Sequence, residues 1–340
     1  MQSIALAKGF QAYGWETKLL TFRPGGPLSS NVKKYGISWE CLQPLDLKAN
    51  WLAPGLVSKV NQCQPDTVLL MGREANCHGE MLKKHFPGIK IAGTVRTGRK
   101  LTSRYRQSLA SCDLIICNSE WSAKRLGSIG EEAHIIHNGL VHDFNLEKRE
   151  LLRELTREKL GATPGTTVFL LCAAFRKGKN HIELLEILEG LEGDWSLWLA
   201  GSGRFKYPFF KKLQNFRFRH RVKDAGQIFE LDGLYAGSDI GILPSLEESL
   251  PNFLVECQSW GIPVAAYNCA GNKEAFVDGE TGILISPGEP DAFRDGLSVL
   301  MNNQSLREEM SVAAKKFAQP KFGFKERLAD YISLLQDRLK

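Results

Sequence analysis

DIGILPSLEESLPNFLVECQSWGIPVAAYN, residues 239–268, is the stretch that decides the fold. Two apolar runs, DIGILP (239–244) and PVAAYN (263–268), flank a segment that reads as a helix from Pro251 onward. Proline is tolerated in the first turn of a helix. The helix N-terminus then falls at the carboxyl end of the first strand, where open α/β sheets bind their ligands. Its unpaired N–H groups and positive potential favour a phosphate. Glu248 and Glu256 stand eight apart, with Pro251 between them. A carboxylate at Glu256 accepts two O–H bonds from a vicinal diol, which suits a ribose. Taken alone, the two are equally readable as surface acids, one of them near a helix start where acids are favoured.

The same alternation extends outward in both directions. In the second half it includes TVFLLCAA (167–174), SLWLAG (196–201) and GILIS (282–286); in the first half, TKLLTF (17–22), TVLLMG (67–72), IAGTV (91–95), DLIICN (113–118) and HIIHN (134–138). Apolar runs spaced by helices indicate parallel strands covered on both faces. The expected architecture is two doubly wound α/β domains. A charged helical segment, 146–161, separates the two series and is placed as a linker. The first domain is then 1–145 and the second domain 162–320. The tail, 321–340, reads as an amphipathic helix able to pack back on the first domain. Leu328, Tyr331, Ile332 and Leu335 recur there at helical spacing. The chain opens on a helix pattern, SIALAKGFQAYG, where a doubly wound domain opens on its central strand, so the first strand is expected to be missing.

Composition sets the outer bounds. At 340 residues, 43% hydrophobic and 24% charged, the chain suits two globular domains. No apolar run approaches the roughly 18 residues of a spanning helix, and MQSIALAKGF lacks the marks of a signal peptide, so a cytoplasmic location is expected. Eight scattered cysteines without a CxxC read as reduced. The net charge of +6 is uneven: residues 1–150 hold 20 Lys+Arg against 13 Asp+Glu, and the rest 24 against 25. A basic first half is compatible with an anionic membrane surface, an anionic substrate or nucleic acid. Arg96, Arg99, Lys100, Arg104 and Arg106 form its densest cluster.

Two further segments converge on the 239–268 unit. CAAFRKGKNHIELLEIL (172–188) leaves a strand and opens a helix at about Asn180; Arg176, Lys177 and Lys179 cluster at that strand's carboxyl end, where cations neutralise a departing diphosphate. NCAGNKEAFVDGETG (268–282) follows the next strand, and Gly271 lets its backbone approach a ligand closely.

With these segments assembled, the chain resembles the retaining GT-B glycosyltransferases of family 4. The carrying matches are Glu248 to Glu256, Gly261-Ile262-Pro263-Val264, Ala270-Gly271 to Glu274, Arg176 with Lys179 in R-x-x-K-N-H, and Gly201-Ser202-Gly203; Asn118-Ser119 and Asn138-Gly139 match weaker turns in the first half. The resemblance implies a GT-B fold with the site in the cleft between two Rossmann-like domains. It implies that Glu256 binds the ribose and Glu248 faces the donor sugar, while Arg176 and Lys179 hold the diphosphate. Lys177, Gly201, Gly203, Pro251, Asn252 and Gly271 complete the expected donor site. No metal and no cofactor are implied, because the nucleotide-sugar is a co-substrate. The implied reaction is hexosyl transfer, with retention, to a glycan or lipid-linked acceptor in polysaccharide biosynthesis.

There are departures. Ser249 and Ala270 stand where glycine is usual. Arg96 stands where a histidine is usual, and it is placed on the acceptor or phosphate side, since arginine stays protonated and cannot act as a base. That departure and the missing strand motivate a second reading, a non-catalytic nucleotide-sugar-binding protein. The basic first half motivates a third, nucleic-acid binding, but no aromatic interleaving or known motif supports it. A hydrolase reading of Glu248 and Glu256 fails, because glycosidase carboxylates face each other without a cationic diphosphate cradle.

Overall fold

The computed structural model describes residues 2–24, 29–49, 51–140, 148–228 and 230–338. Its strands are β1 (Lys18–Thr21), β2 (Ser38–Cys41), β3 (Thr67–Leu70), β4 (Lys90–Val95), β5 (Leu114–Cys117), β6 (His134–Ile135), β7 (Thr167–Cys172), β8 (Trp195–Ala200), β9 (Val222–Gly226), β10 (Ile240–Leu243), β11 (Val264–Tyr267) and β12 (Gly282–Ile285). Every strand pairing is parallel, and helices occupy the crossovers between most strands. The chain divides into two compact units, residues 1–141 with 323–340, and residues 142–322.

The second unit is one six-stranded sheet in the order β12-β11-β10-β7-β8-β9. From β7 the chain builds outward to β8 and β9, then returns to place β10, β11 and β12 on the other side. The order therefore reverses between β7 and β10, and the crevice outside their carboxyl ends is where such a sheet takes a ligand. β8, β10 and β11 are buried throughout, and β7 is buried except at Cys172. At the opposite end of the sheet the Asp239 carboxylate accepts from the Val168 N–H at 2.8 Å, from Arg153 at 2.6 Å and from Arg157 at 3.2 Å. Arg157 is itself buried and donates to the carbonyls of Gly237 at 2.9 Å and Thr163 at 2.6 Å. A buried guanidinium is tolerable only with such partners. They fasten the helix Arg149–Leu160, whose Leu151 and Leu155 stay exposed, to the surface of the second unit.

The first unit holds two separate sheets, β3-β4-β5-β6 and β1-β2. Among the described residues no strand joins β1 to β3. β4 and β5 are almost wholly buried, whereas most of β1 and β3 is half-buried. The helix Gln2–Ala12 bridges the two sheets. Its Ile4 and Ala7 pack with Val32, Ile37 and Leu19 beside β1-β2. Its Leu6 and Phe10 pack with Ala92, Leu114 and Ile116 of the larger sheet. Tyr331, Ile332 and Leu335 of the terminal helix Phe324–Arg338 complete that cluster. β2 and β9 escape a reading of apolar runs. Each lies at a sheet edge, and each mixes polar with apolar residues (SWEC, VKDAG), so neither carries the continuous apolar signal of an interior strand.

Candidate active site

The segments leaving β7 and β8 run side by side. Ala173 N–H donates to the Ala200 carbonyl at 2.9 Å, and Phe175 N–H to that of Ser202 at 2.9 Å. At Gly201 (φ 149°) and Gly203 (φ 147°) an added Cβ would lie 2.1 Å from the Ala173 oxygen and 2.4 Å from the Phe175 oxygen. Only glycine permits that backbone approach. Phe175 is buried, and its ring stacks on His181 at 4.1 Å. Among the described residues neither ring nitrogen of His181 has a partner, and burial pulls the imidazole down to about 4, with the Lys179 charge adding to the effect. His181 is therefore a neutral wedge that holds Phe175 rather than a proton carrier.

Arg176 is extended, and Lys177–Lys179 form a 3-10 turn. Asn180 is left-handed at φ 54°, with its amide on Glu183, and the regular helix begins only at Leu184. This corrects the expected helix start at Asn180. Asparagine tolerates the left-handed region, and here it turns the chain after the basic loop.

Lys179 is ion-paired to Glu248. The Ser245 hydroxyl lies 2.7 Å from Glu248 Oε1 and 2.9 Å from the Gly178 carbonyl, to which Leu246 N–H also donates at 3.0 Å. The loops after β7 and β10 are thus strapped together, with the Lys179 and Glu248 side chains only 13% and 8% exposed. Two residues read separately from the sequence are one buried pair. Among the described residues, half-buried Arg176 has no carboxylate partner and Lys177 is exposed. The cationic valence left open at the end of β7 is therefore that of Arg176 and Lys177.

Pro251 caps the helix Asn252–Trp260, its carbonyl accepting from Val255 at 3.3 Å; it precedes the helix rather than occupying its first turn. Asn252 is exposed at the helix start, and half-buried Glu256 follows one turn later. The Glu256 carboxylate accepts the hydroxyl of Tyr235. Tyr235 is buried beside Phe253 and Trp260, and burial, then the Glu256 charge, pushes its phenol well up, so it stays a donor. Burial and the same charge also raise the Cys172 thiol, at the end of β7. Sequence reasoning missed Tyr235, because it lies in a helix that precedes β10 and meets Glu256 only in three dimensions. After β11, Gly271 N–H approaches the Glu248 carbonyl at 3.4 Å, and a Cβ there would sit 1.3 Å from the Ser249 oxygen. Ala270 adopts φ 44°, a left-handed conformation that glycine takes more readily. Glu274 is buried at the end of a 3-10 turn, Asn272–Glu274.

In the first unit, Arg96 follows β4 and donates to Asn138, which follows β6. Asn118 Nδ2 lies 3.4 Å from the same Asn138 oxygen. Burial lowers the affinity of Arg96 for its proton, but a guanidinium remains charged at neutral pH. Among the described residues there is no group of three or more His, Cys, Asp or Glu able to hold a metal. No helix among them is long and apolar enough to cross a membrane.

Residues 153–317 match the family model "Glycosyl transferases group 1", and residues 3–144 match "Glycosyltransferase Family 4". The chain has the GT-B fold, and each of its halves matches a glycosyltransferase family model. Among curated relatives it is similar to the lipopolysaccharide core biosynthesis glycosyltransferase LpsE of Rhizobium meliloti, 25% identical over 66% of this chain and 65% of that one. It is also similar to the D-inositol 3-phosphate glycosyltransferase of Corynebacterium diphtheriae, 37% identical over 35% of this chain and 28% of that one. The chain thus spans less than two thirds of the length of these curated relatives. The same fold is seen in a glycosyltransferase from Rickettsia africae, with a TM-score of 0.82 at 18% identity, covering 100% of this chain and 94% of that one. It is seen again in Anabaena Alr3699/HepE in complex with UDP, with a TM-score of 0.82 at 20% identity, covering 98% and 94%.

Proposed function

We propose that the protein transfers a hexose from a uridine diphosphate sugar to a hydroxyl acceptor, with retention and without a metal. The observation that carries this reading is the convergence of three loops at the carboxyl ends of β7, β10 and β11. They bring Arg176 and Lys177, the Lys179–Glu248 pair, the helix start at Asn252 and the bare backbone of Gly271 to one crevice. Cations and helix N–H groups suit a diphosphate. Glu256, oriented by Tyr235, suits the paired hydroxyls of a ribose. The Anabaena relative has been crystallised with UDP and with UDP-glucose, which supports uridine as the base.

In the proposed reaction the acceptor oxygen bonds to the anomeric carbon as the bond from that carbon to the phosphate oxygen breaks. Arg176 and Lys177 stabilise the departing diphosphate, with the Lys179–Glu248 pair beside them, and the diphosphate takes the acceptor's proton. This front-face route needs no protein nucleophile or base, and so accommodates Arg96 where a histidine is usual. The acceptor, a glycan or a lipid-linked sugar, is assigned to the first unit. Leu45 and Leu47 are 87% and 57% exposed in a loop of that unit, which supports peripheral contact with a membrane surface.

The test is a thermal-shift panel of UDP, GDP and ADP with their glucose conjugates. A nucleotide at about 100 times its dissociation constant adds roughly 2.7 kcal/mol of stability. UDP is expected to raise the melting temperature of the protein and to lose that effect in Glu256→Ala. A panel without any shift, on folded protein, would sink the proposal.

A further inference from the structure

A cavity of about 220 Å³ opens in the first unit, lined by Trp51, Arg73, Glu74, Cys77, His78, Thr102 and Arg104. It lies where β3 gives way to the helix Arg73–Asn76, beside the start of the helix Ser103–Ala110. This is the carboxyl-end side of a parallel sheet, the side that binds ligands. The residues of the donor site all belong to the other unit.

The wall chemistry is specific. Arg104 Nε donates to the Cys77 carbonyl at 3.3 Å, which fixes the guanidinium plane, and among the described residues its terminal nitrogens have no partner. Arg73 likewise has no carboxylate partner among the described residues. His78 is buried, tilted on Phe22 at 5.4 Å and bonded to the Trp51 backbone; burial and the Arg104 charge keep it neutral. Burial raises the Cys77 thiol, which removes it as a nucleophile. Two cations therefore face one acid, Glu74. Trp51, at the rim, leaves 67% of its surface exposed, an apolar area whose exposure is costly without a partner.

We propose that this cavity holds an acidic sugar, a pyranose bearing a carboxylate or a phosphate, as the recognition element of the acceptor. Arg73 and Arg104 take the anionic group, Glu74 and Thr102 meet ring hydroxyls, and Trp51 covers the apolar face of the ring. The acceptor role rests on the transfer reading above, while the binding chemistry stands on the cavity itself.

Titration calorimetry of the whole chain at low salt with glucuronate, glucose 6-phosphate, glucose, inorganic phosphate and UDP tests it. At least one acidic sugar is expected to bind about 10-fold or more tightly than glucose and than inorganic phosphate. Whichever of the two binds better identifies the acid as carboxylate or phosphate. Arg104→Gln and Arg73→Gln are each expected to weaken it about 10-fold or more, and Trp51→Ala several-fold, with UDP affinity and melting temperature unchanged. All three side chains are at least partly exposed, so the variants are expected to fold. Equal affinity for glucose and both acids, or binding indifferent to the arginine changes in a protein that binds UDP, overturns the site and leaves the transfer reading intact. Inorganic phosphate binding as tightly as glucose 6-phosphate overturns the sugar part. Acidic sugar binding in a protein that does not bind UDP overturns the acceptor role.

Discussion

Replacing Lys179 with methionine keeps the length of the side chain and removes its charge. What remains is the Glu248 carboxylate, 8% exposed, with only the Ser245 hydroxyl at 2.7 Å to oppose its burial. Breaking a buried pair in this way costs about 3–5 kcal/mol, because one charge is left uncompensated. Lys179→Met should therefore lose about 3 kcal/mol. The double variant Lys179→Met/Glu248→Gln, which also removes the stranded charge, should return to within about 1 kcal/mol of the parent. Urea unfolding followed by fluorescence is suitable, since Trp195, Trp198 and Trp260 are all buried in the second unit. A loss below about 1 kcal/mol in Lys179→Met, or a double variant no better than Lys179→Met, would refute the reasoning.

Other outcomes follow from the same geometry. Gly271→Ala drives a methyl into the Ser249 carbonyl, 1.3 Å from the built position; a loss of about 3 kcal/mol or more in unfolding free energy, together with loss of UDP binding, is expected, and a silent variant would show that the loops do not meet there. His181 is held neutral with its affinity for protons lowered from 6.5 to about 4, so its contribution is complete above pH 6.5 and is lost as pH falls toward 4. That loss is about 3 kcal/mol by linkage, and His181→Phe should flatten this part of the stability–pH curve in acid titrations. If the exposed loop touches a membrane, Leu45→Asp/Leu47→Asp should abolish co-flotation with anionic vesicles while leaving UDP affinity alone.

Much of the architecture was legible because buried parallel strands are continuous apolar runs; β7, β8, β10 and β11 announced themselves this way. The opening helix was legible too, from Ile4, Ala7 and Phe10 at helical spacing. The edge strands β2 and β9 were not, since a strand with one neighbour and half its side chains in water carries polar residues. In the candidate site, the residue types and their order along the chain were readable, but their pairing was not. Nothing in the spacing of Lys179 and Glu248 says that they form a buried ion pair, and nothing in LYAGSD marks Tyr235 as the partner of Glu256. Asn180 looked like a helix start because KNHIELLEIL has helical periodicity; its left-handed backbone is set by the turn that the basic loop must make.

The divided sheet of the first unit has a kinetic consequence. No backbone ladder connects β1-β2 to β3-β4-β5-β6 among the described residues, so the smaller sheet is held by side chains alone, through the helix Gln2–Ala12 on one face and the Leu20, Leu42 and Leu70 cluster on the other. Such a layer can open without unzipping its neighbour. The amides of Leu19 and Leu20 should then exchange with deuterium together, at a free energy below that of Ala92 and Ile116. A protease acting under native conditions would enter the chain there first.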